Sequence, residues 1–133
     1  MKYSPILLIA VLLCASFQGL GQISKIEKGR IKVTIMYPNE EGKTFDMEYY
    51  SKKHMPMVAQ LFGDYLKGMS IDKGIAGRTP EESIPFLAIG TFYFNRLEDY
   101  GAAFGPNAQK ILEDIPNYTN IPPIVQISEV VFR

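Results

Sequence analysis

The sequence predicts a small α+β domain whose elements follow the order βαββαβ. Four stretches alternate or run apolar as strands do, and two stretches have apolar residues at helical spacing. The length of 133 residues is enough for one domain and leaves little room for a second. With 47% hydrophobic and 21% charged residues, the composition is that of an ordinary globular protein.

The first 21 residues are predicted to be a secretory signal peptide rather than part of the domain. Lys2 gives a positive start, Ile6–Ala15 is an unbroken apolar run, and Gly19 and Gly21 are small residues before a cleavage point. The run is too short to span a bilayer comfortably. An uncleaved anchor and a lipoprotein modified at Cys14 are the weaker alternatives. We therefore expect a periplasmic or secreted protein.

Cleavage would leave an N-terminal extension over residues 22–29 and a domain over residues 30–133. It would also remove the only cysteine, so the domain has no disulfide, no thiol nucleophile and no cysteine-based metal site. The fold must then be held by its hydrophobic core alone. The 14 basic residues balance the 14 acidic ones, which does not predict a nucleic-acid surface.

The first strand and the first helix have clear local signals. Arg30–Tyr37 alternates between apolar and polar residues, as a strand with one buried face does. Asp46 is a suitable N-cap, and Phe45 before it can pack on Tyr50 as a hydrophobic staple. The helix then places one apolar stripe toward the core, formed by Met47, Tyr50, His54, Val58, Leu61, Phe62 and Tyr65.

Pro56 should interrupt that first helix. Proline lacks a backbone N–H and clashes with the carbonyl of the preceding turn, which costs about 3 kcal/mol in a helix interior. We therefore expect a kink or a restart at His54–Pro56, which leaves carbonyl groups of the preceding turn without partners. Such a break is retained either because packing requires it or because a functional site needs the gap that it leaves in the helix.

The remaining elements follow in order along the chain. A weak strand covers Gly68–Ile75, and a strand apolar on both faces covers Ile84–Asn95. A second helix over Leu97–Asp114 should bend where Gly105 and Pro106 weaken it. A proline-bracketed loop leads to the last strand, Ile124–Phe132, which is again apolar on both faces.

This order is the ferredoxin-like plan, and it implies a dimer. Two helices can cover only one face of a four-stranded sheet, yet two of the strands are apolar on both faces. Large exposed apolar sheets rarely remain monomeric. We expect a homodimer formed by sheet-to-sheet association, that is, a dimeric α/β barrel.

Two segments of the sequence resemble the EthD family, which is named for an association with degradation of ethyl tert-butyl ether. They are Val33–Pro56, with its FD-x-x-YY-x-x-x-HMP pattern, and Ala102–Val131, with IPNYT and QISE. The resemblance covers nearly the whole predicted mature chain. It implies the dimeric α/β-barrel fold, in agreement with the patterning.

The resemblance implies less about activity. Family members are often labelled reductases, but the sequence has no glycine-rich turn of the kind that binds flavin or nicotinamide cofactors. Related barrels include cyclases, isomerases, haem-handling oxygenases and plain ligand binders, and such a fold does not fix a function. A signal peptide also departs from the usual short cytoplasmic member.

His54 is the main candidate for catalysis because it is the only histidine. It lies on the apolar stripe one turn after Tyr50, beside the break at Pro56. It could act as a general base or acid on an enolisable substrate, with Tyr50 or Tyr118 as the orienting donor; the helical spacing would let the Tyr50 hydroxyl reach His54. The alternative is that His54 only bonds the carbonyls freed by Pro56, and that Tyr50 only packs in the core.

Four further residues are predicted to bind a substrate. Tyr118 lies in the rigid loop before the last strand, where a barrel mouth would be, and Phe104 lies on the apolar face of the second helix. Gln126 and Ser128 are polar in an otherwise apolar strand and need hydrogen-bond partners, either in a ligand or in the partner subunit.

No metal site is predicted, because a single histidine without clustered carboxylates gives no convincing ligand set. One histidine would suffice for haem, a weaker alternative. The sequence therefore favours cofactor-independent acid–base chemistry on a small, largely apolar carbonyl or aromatic compound. A non-catalytic periplasmic binder of small hydrophobic molecules is the second hypothesis, and an EthD-type reductase the third.

Overall fold

A four-stranded antiparallel sheet organises the domain in the computed structural model, which describes residues 27–132. The strand order is β2-β3-β1-β4, so the first strand lies between the third and the last, as in a ferredoxin-like fold. The strands are β1 (Ile31–Pro38), β2 (Gly68–Lys73), β3 (Phe86–Phe94) and β4 (Ile124–Glu129). The predicted fold class is confirmed, and the second, third and last strands are each shorter than the sequence suggested.

Two interrupted helices cover one face of this sheet. The first consists of α1 (Met47–Tyr49), a π-helical turn (Tyr50–His54) and α2 (Met55–Phe62), followed by a 3₁₀ turn (Gly63–Tyr65). The second consists of α3 (Leu97–Phe104), a 3₁₀ turn (Gly105–Asn107), α4 (Ala108–Asp114) and a 3₁₀ turn (Ile115–Asn117). The predicted bend of the second helix is confirmed.

The π-helical turn is the way in which the first helix accommodates Pro56. The wider turn closes with the Met55 N–H donating to the Tyr50 carbonyl, five residues back, instead of four. It moves the preceding carbonyls away from the proline ring, so α2 continues with Pro56 in its first turn, where a missing N–H costs little. The expected break is therefore a widened turn in a helix that goes on.

Local signals at the start of the first helix act as predicted. The Asp46 carboxylate accepts the Tyr49 N–H at 3.0 Å and caps the helix. The Phe45 ring meets the Tyr50 ring edge-on with centroids 5.1 Å apart, which is the predicted hydrophobic staple.

The core lies between the helices and one face of the sheet. On β1 the residues Val33, Ile35 and Tyr37 face the helices, and their neighbours across the register face the same way. Aromatic rings form much of the core, with Phe62 packing edge-on against Phe92 at 5.1 Å.

The other face of the sheet carries no helix within residues 27–132. It presents Met36 from β1, Ile89 from β3 and Ile124 from β4, while Thr91 at its centre is only 2% exposed. The patterning argument for a sheet-to-sheet dimer rests on this face, and the dimer stays a prediction. No helix within the described part of the chain is long and apolar enough to cross a membrane. The predicted signal peptide and its cleavage point lie outside the described residues.

Candidate active site

An apolar cavity of about 110 Å³ lies between the sheet and the two helices. Its wall includes residues of β1, β3 and β4 and of both helices: Val33, Ile35, Tyr37, Tyr50, His54, Met55, Val58, Phe62, Phe92, Tyr100, Phe104, Ile111, Leu112, Ile115, Pro123 and Val125. Leu112 and Val125 are 55% and 52% exposed, so the cavity opens between α4 and the edge strand β4. An apolar cavity of about 150 Å³ holds benzene, so this one accepts a group somewhat smaller than an aromatic ring.

His54 lies on the wall of this cavity and is paired with a carboxylate that the sequence analysis did not single out. Its Nδ1 lies 2.8 Å from Oδ2 of Asp114, the last residue of α4. The side chain of His54 is 6% exposed and that of Asp114 is 16% exposed. The hypothesis that His54 bonds carbonyls freed by Pro56 is therefore wrong, because its partner is on the other helix.

Asp114 is held in place by two further donors. The Tyr49 hydroxyl donates to Oδ1 at 2.7 Å, and the Asn117 amide donates to the same oxygen at 3.0 Å. Burial opposes ionisation of Asp114, but the hydrogen bonds from His54, Tyr49 and Asn117 outweigh it and lower the pKa of the carboxyl. Asp114 is thus a fixed carboxylate that accepts from three side chains.

The imidazole of His54 is neutral at physiological pH in this setting. Burial lowers the pKa of His54 and outweighs the opposing effect of the Asp114 carboxylate. The carboxylate selects the tautomer with the proton on Nδ1, so that Nδ1–H donates to Asp114 and Nε2 keeps its lone pair. Because the hydrogen bond to Asp114 uses Nδ1, Nε2 is the ring nitrogen left to accept a proton.

Two tyrosine rings lie against His54, but in a different way from the one predicted. The Tyr50 ring stacks on the imidazole with centroids 5.8 Å apart, and the Tyr118 ring lies 4.6 Å from it. The expected hydrogen bond between Tyr50 and His54 is not formed. The Tyr118 hydroxyl instead pairs with that of Tyr37 at 2.6 Å, and the Tyr50 hydroxyl is buried without a partner in the described part of the chain.

Gly90 on β3 makes room for the Tyr50 hydroxyl. A Cβ at this position would collide with that oxygen and would lie 3.0 Å from the Met55 methyl group. Gly90 faces Ile35 across the sheet, so the hydroxyl ends against the sheet backbone beside the cavity wall. Glycine at this position therefore lets the Tyr50 hydroxyl come close to the β3 backbone.

The six predicted site residues divide into three groups. His54, Tyr50 and Phe104 line the cavity. Tyr118 is 3% exposed and contacts His54 without lining the cavity. Gln126 and Ser128 pair with Thr34 and Lys32 and therefore lie on the opposite, helix-free face, where the Gln126 amide donates to the Ser128 hydroxyl at 3.0 Å.

Asp114 and Asn117 were missed because a carboxylate at a helix end and an amide in a turn are ordinary surface features in a sequence. A signal was nevertheless present. Both belong to the DIPNYT run of residues 114–119, the same run that carries the family resemblance and contains Tyr118.

Comparison with known proteins agrees with this resemblance. The family model described as EthD domain matches residues 40–122, more than half of the chain. The chain belongs to the EthD family. The match includes the first helix with His54 and the 114–119 run with Asp114, so both halves of the histidine–carboxylate pair lie within the EthD domain.

The solved structures that are similar to the chain include two from bacterial proteins of this family. An EthD-like protein from Ralstonia eutropha JMP134 is 41% identical, with a TM-score of 0.75, covering 80% of this chain and 96% of that one. An EthD family protein from Bacillus halodurans C-125 is 17% identical, with a TM-score of 0.54, covering 75% of this chain and 97% of that one. The second likeness shows the fold alone. No curated protein matches the chain.

Within residues 27–132, no group of three or more His, Cys, Asp or Glu side chains is arranged to hold a metal ion. The structure therefore offers one chemically distinctive site in its described part, the His54–Asp114 pair at the cavity wall.

Proposed function

We propose that this EthD-family protein is an acid–base enzyme acting on a small, largely apolar carbonyl compound, with His54 as the general base. One observation carries the proposal: Nδ1 of the buried His54 imidazole lies 2.8 Å from Oδ2 of Asp114, while the His54 side chain lines an apolar cavity. This arrangement leaves Nε2 as the acceptor and directs it away from the carboxylate.

Asp114 would act as a positioning residue in this proposal. It fixes the tautomer and orientation of His54 and stabilises the imidazolium that forms when Nε2 takes a proton. Tyr49 and Asn117 hold the carboxylate so that it does not rotate away. No step requires an added cofactor, since proton removal beside a carbonyl group moves no electrons to or from the protein.

The proposal is tested by hydrogen–deuterium exchange at the α-carbon of small ketones in D₂O, followed by NMR. The probes are 1-indanone, phenylacetone and acetylacetone, each with acidic C–H bonds next to a carbonyl. The wild-type domain should accelerate exchange of at least one probe, and His54→Gln should lower that rate by about 100- to 10,000-fold, the usual contribution of general acid–base catalysis.

Asp114→Asn should lower the same rate, because an amide can favour the wrong tautomer of His54. Asp72→Asn is the matched control, since Asp72 lies exposed on β2 and is not part of the cavity wall. Exchange that is equal in wild type and His54→Gln for every probe would refute the proposed base.

A non-catalytic binder of small hydrophobic molecules is the second candidate. The observation that favours it is the almost wholly aliphatic and aromatic wall of the cavity, with His54 itself 5% exposed. The same measurement separates the two functions, because a binder would take up the ketones without exchanging their protons.

We further propose that the protein is exported and acts as a homodimer. The support for export is the sequence pattern before Gln22, and mass spectrometry of protein from the native envelope should find an N-terminus at that residue. Full-length protein in membranes would contradict cleavage.

A further inference from the structure

Three tyrosine hydroxyls beside His54 form a group that we call the tyrosine cluster: Tyr37, Tyr50 and Tyr118. Their ring centroids lie 5.1–5.9 Å apart, and each of the three side chains is 3% exposed or less. Buried hydroxyl groups normally have hydrogen-bond partners, so the partners within the cluster can be counted.

The cluster has more O–H protons than hydrogen bonds. Three phenol groups carry three O–H protons, and the one hydrogen bond between Tyr37 and Tyr118 uses one of them. The Tyr50 hydroxyl has no partner at all in the described part of the chain. Two protons are therefore not donated within the cluster, and the unsatisfied Tyr50 hydroxyl costs about 1–3 kcal/mol.

The two unmatched protons can be assigned to the cavity side of the cluster. Tyr37 and Tyr50 line the cavity, whereas Tyr118 does not. If Tyr118 donates to Tyr37, the proton of Tyr37 is left over beside that of Tyr50. Burial raises the pKa of all three phenols, so they stay protonated at physiological pH and act as donors.

A ligand that satisfies this site must bring an oxygen acceptor for the two tyrosines and an acidic proton for His54. The rest of the wall is apolar, and the cavity of about 110 Å³ is small. We propose that Tyr37 and Tyr50 form an oxygen-binding subsite that holds the carbonyl oxygen of an enolisable ketone while its α-carbon faces His54. This inference rests on the proposed function and names its substrate class.

The proton transfer is balanced within the site. Nε2 of His54 takes the α-proton, the C–H electron pair forms the new C=C bond, and the carbonyl π pair moves to the oxygen. The enolate oxygen then accepts from the two phenols, whose donation strengthens as negative charge develops. Return of the proton from His54 to carbon restores the ketone or gives its isomer, and no oxidant or reductant is needed.

The subsite is tested by binding two probes of nearly the same shape, 4-nitrophenol and 4-nitrotoluene. Both carry a nitro group, but only the first has a phenolic oxygen. Its phenolate form absorbs visible light, so equilibrium dialysis can follow both the amount bound and its ionisation. The readout is the ratio of the two dissociation constants within one protein, which corrects for any general change in the cavity. Tyr65→Phe is the control, since Tyr65 is 45% exposed and lies outside the cavity wall.

Wild type and Tyr65→Phe should bind the nitrophenolate in preference to nitrotoluene. Tyr50→Phe and Tyr37→Phe should each reduce that preference by about 10- to 100-fold, as expected for loss of a hydrogen bond to a charged acceptor. An unchanged preference in Tyr50→Phe, which keeps its fold, would overturn the subsite. Because binding needs no turnover, that result is distinct from absent proton exchange, which would overturn the base.

Discussion

Replacing Tyr50 with phenylalanine should make the protein more stable and less active at the same time. The hydroxyl of Tyr50 is buried against the backbone at Gly90, and the side chain is 1% exposed. It has no hydrogen-bond partner among residues 27–132. Folding therefore removes this hydroxyl from water without replacing the hydrogen bonds that it made there.

The size of the effect follows from two opposing contributions. Removing an unsatisfied buried hydroxyl recovers about 1–3 kcal/mol of free energy of unfolding. The void left by one oxygen atom costs only a few tenths of a kcal/mol, at about 24 cal/mol per Å³. The net gain is about 1–2 kcal/mol, which for a domain of about 100 residues raises the melting temperature by roughly 4–8 °C.

The assay is thermal and urea unfolding of wild type, Tyr50→Phe, Tyr118→Phe and Tyr65→Phe. Tyr118→Phe should have the opposite sign, about 1 kcal/mol less stable, because it breaks the buried bond to Tyr37. The exposed Tyr65 should be neutral within about 0.5 kcal/mol. Destabilisation by Tyr50→Phe would refute the reasoning, since it would mean that the hydroxyl has a partner in the folded protein.

Three other changes test the rest of the site and the assembly. Burial lowers the pKa of His54, so as the pH falls below the ordinary value of 6.5 the histidine becomes protonated in the unfolded chain before it does in the folded protein. In urea unfolding, the stability advantage of wild type over His54→Gln should therefore shrink between about pH 7 and pH 5. A difference that stays constant would contradict this. Leu112→Glu at the cavity mouth should weaken binding of 4-nitrotoluene by about 10-fold without lowering the melting temperature. Leu97 is similarly exposed but outside the cavity wall, so Leu97→Glu should leave this binding unchanged. Equal weakening by the two variants would argue against an entrance at Leu112. Ile89→Glu on the helix-free sheet face should turn the dimer into a monomer in light scattering. Ile75 is 91% exposed, so Ile75→Glu should leave the protein dimeric. A monomeric wild type would refute the sheet-to-sheet dimer.

The elements of the fold could be predicted because their signals are local. Alternation in Arg30–Tyr37, the cap at Asp46 and the weak positions at Gly105 and Pro106 each act within a few residues of themselves. Strand ends were predicted less well. The last strand was expected to reach Phe132 but stops at Glu129. Val130 still exchanges backbone hydrogen bonds with Gly29 and Arg30, and the apolar residues after it continue without a strand.

That Pro56 disturbs the first helix could be predicted from the sequence, but the geometry of the disturbance could not. A proline in a helical pattern predicts a steric clash between its ring and the carbonyl of the preceding turn, so the position of the irregularity follows from the sequence. Whether the helix kinks, stops or widens depends on what its flanks pack against. Here Tyr50 and Met55 are both buried on the sheet side of the helix, and the π-helical turn keeps both of them there.

The sequence alone determined the family, the order of the elements and the choice of His54 as the residue to study. Only the tertiary structure decided what His54 bonds to: Asp114 lies 60 residues further along the chain and reaches it because the end of α4 lies against the π-helical turn of the first helix. It also separated the tyrosines, pairing Tyr118 with Tyr37 across 81 residues and leaving Tyr50 alone. The physical reason is that a hydrogen bond depends on a fit of about 3 Å between side chains, which no local pattern in a sequence encodes.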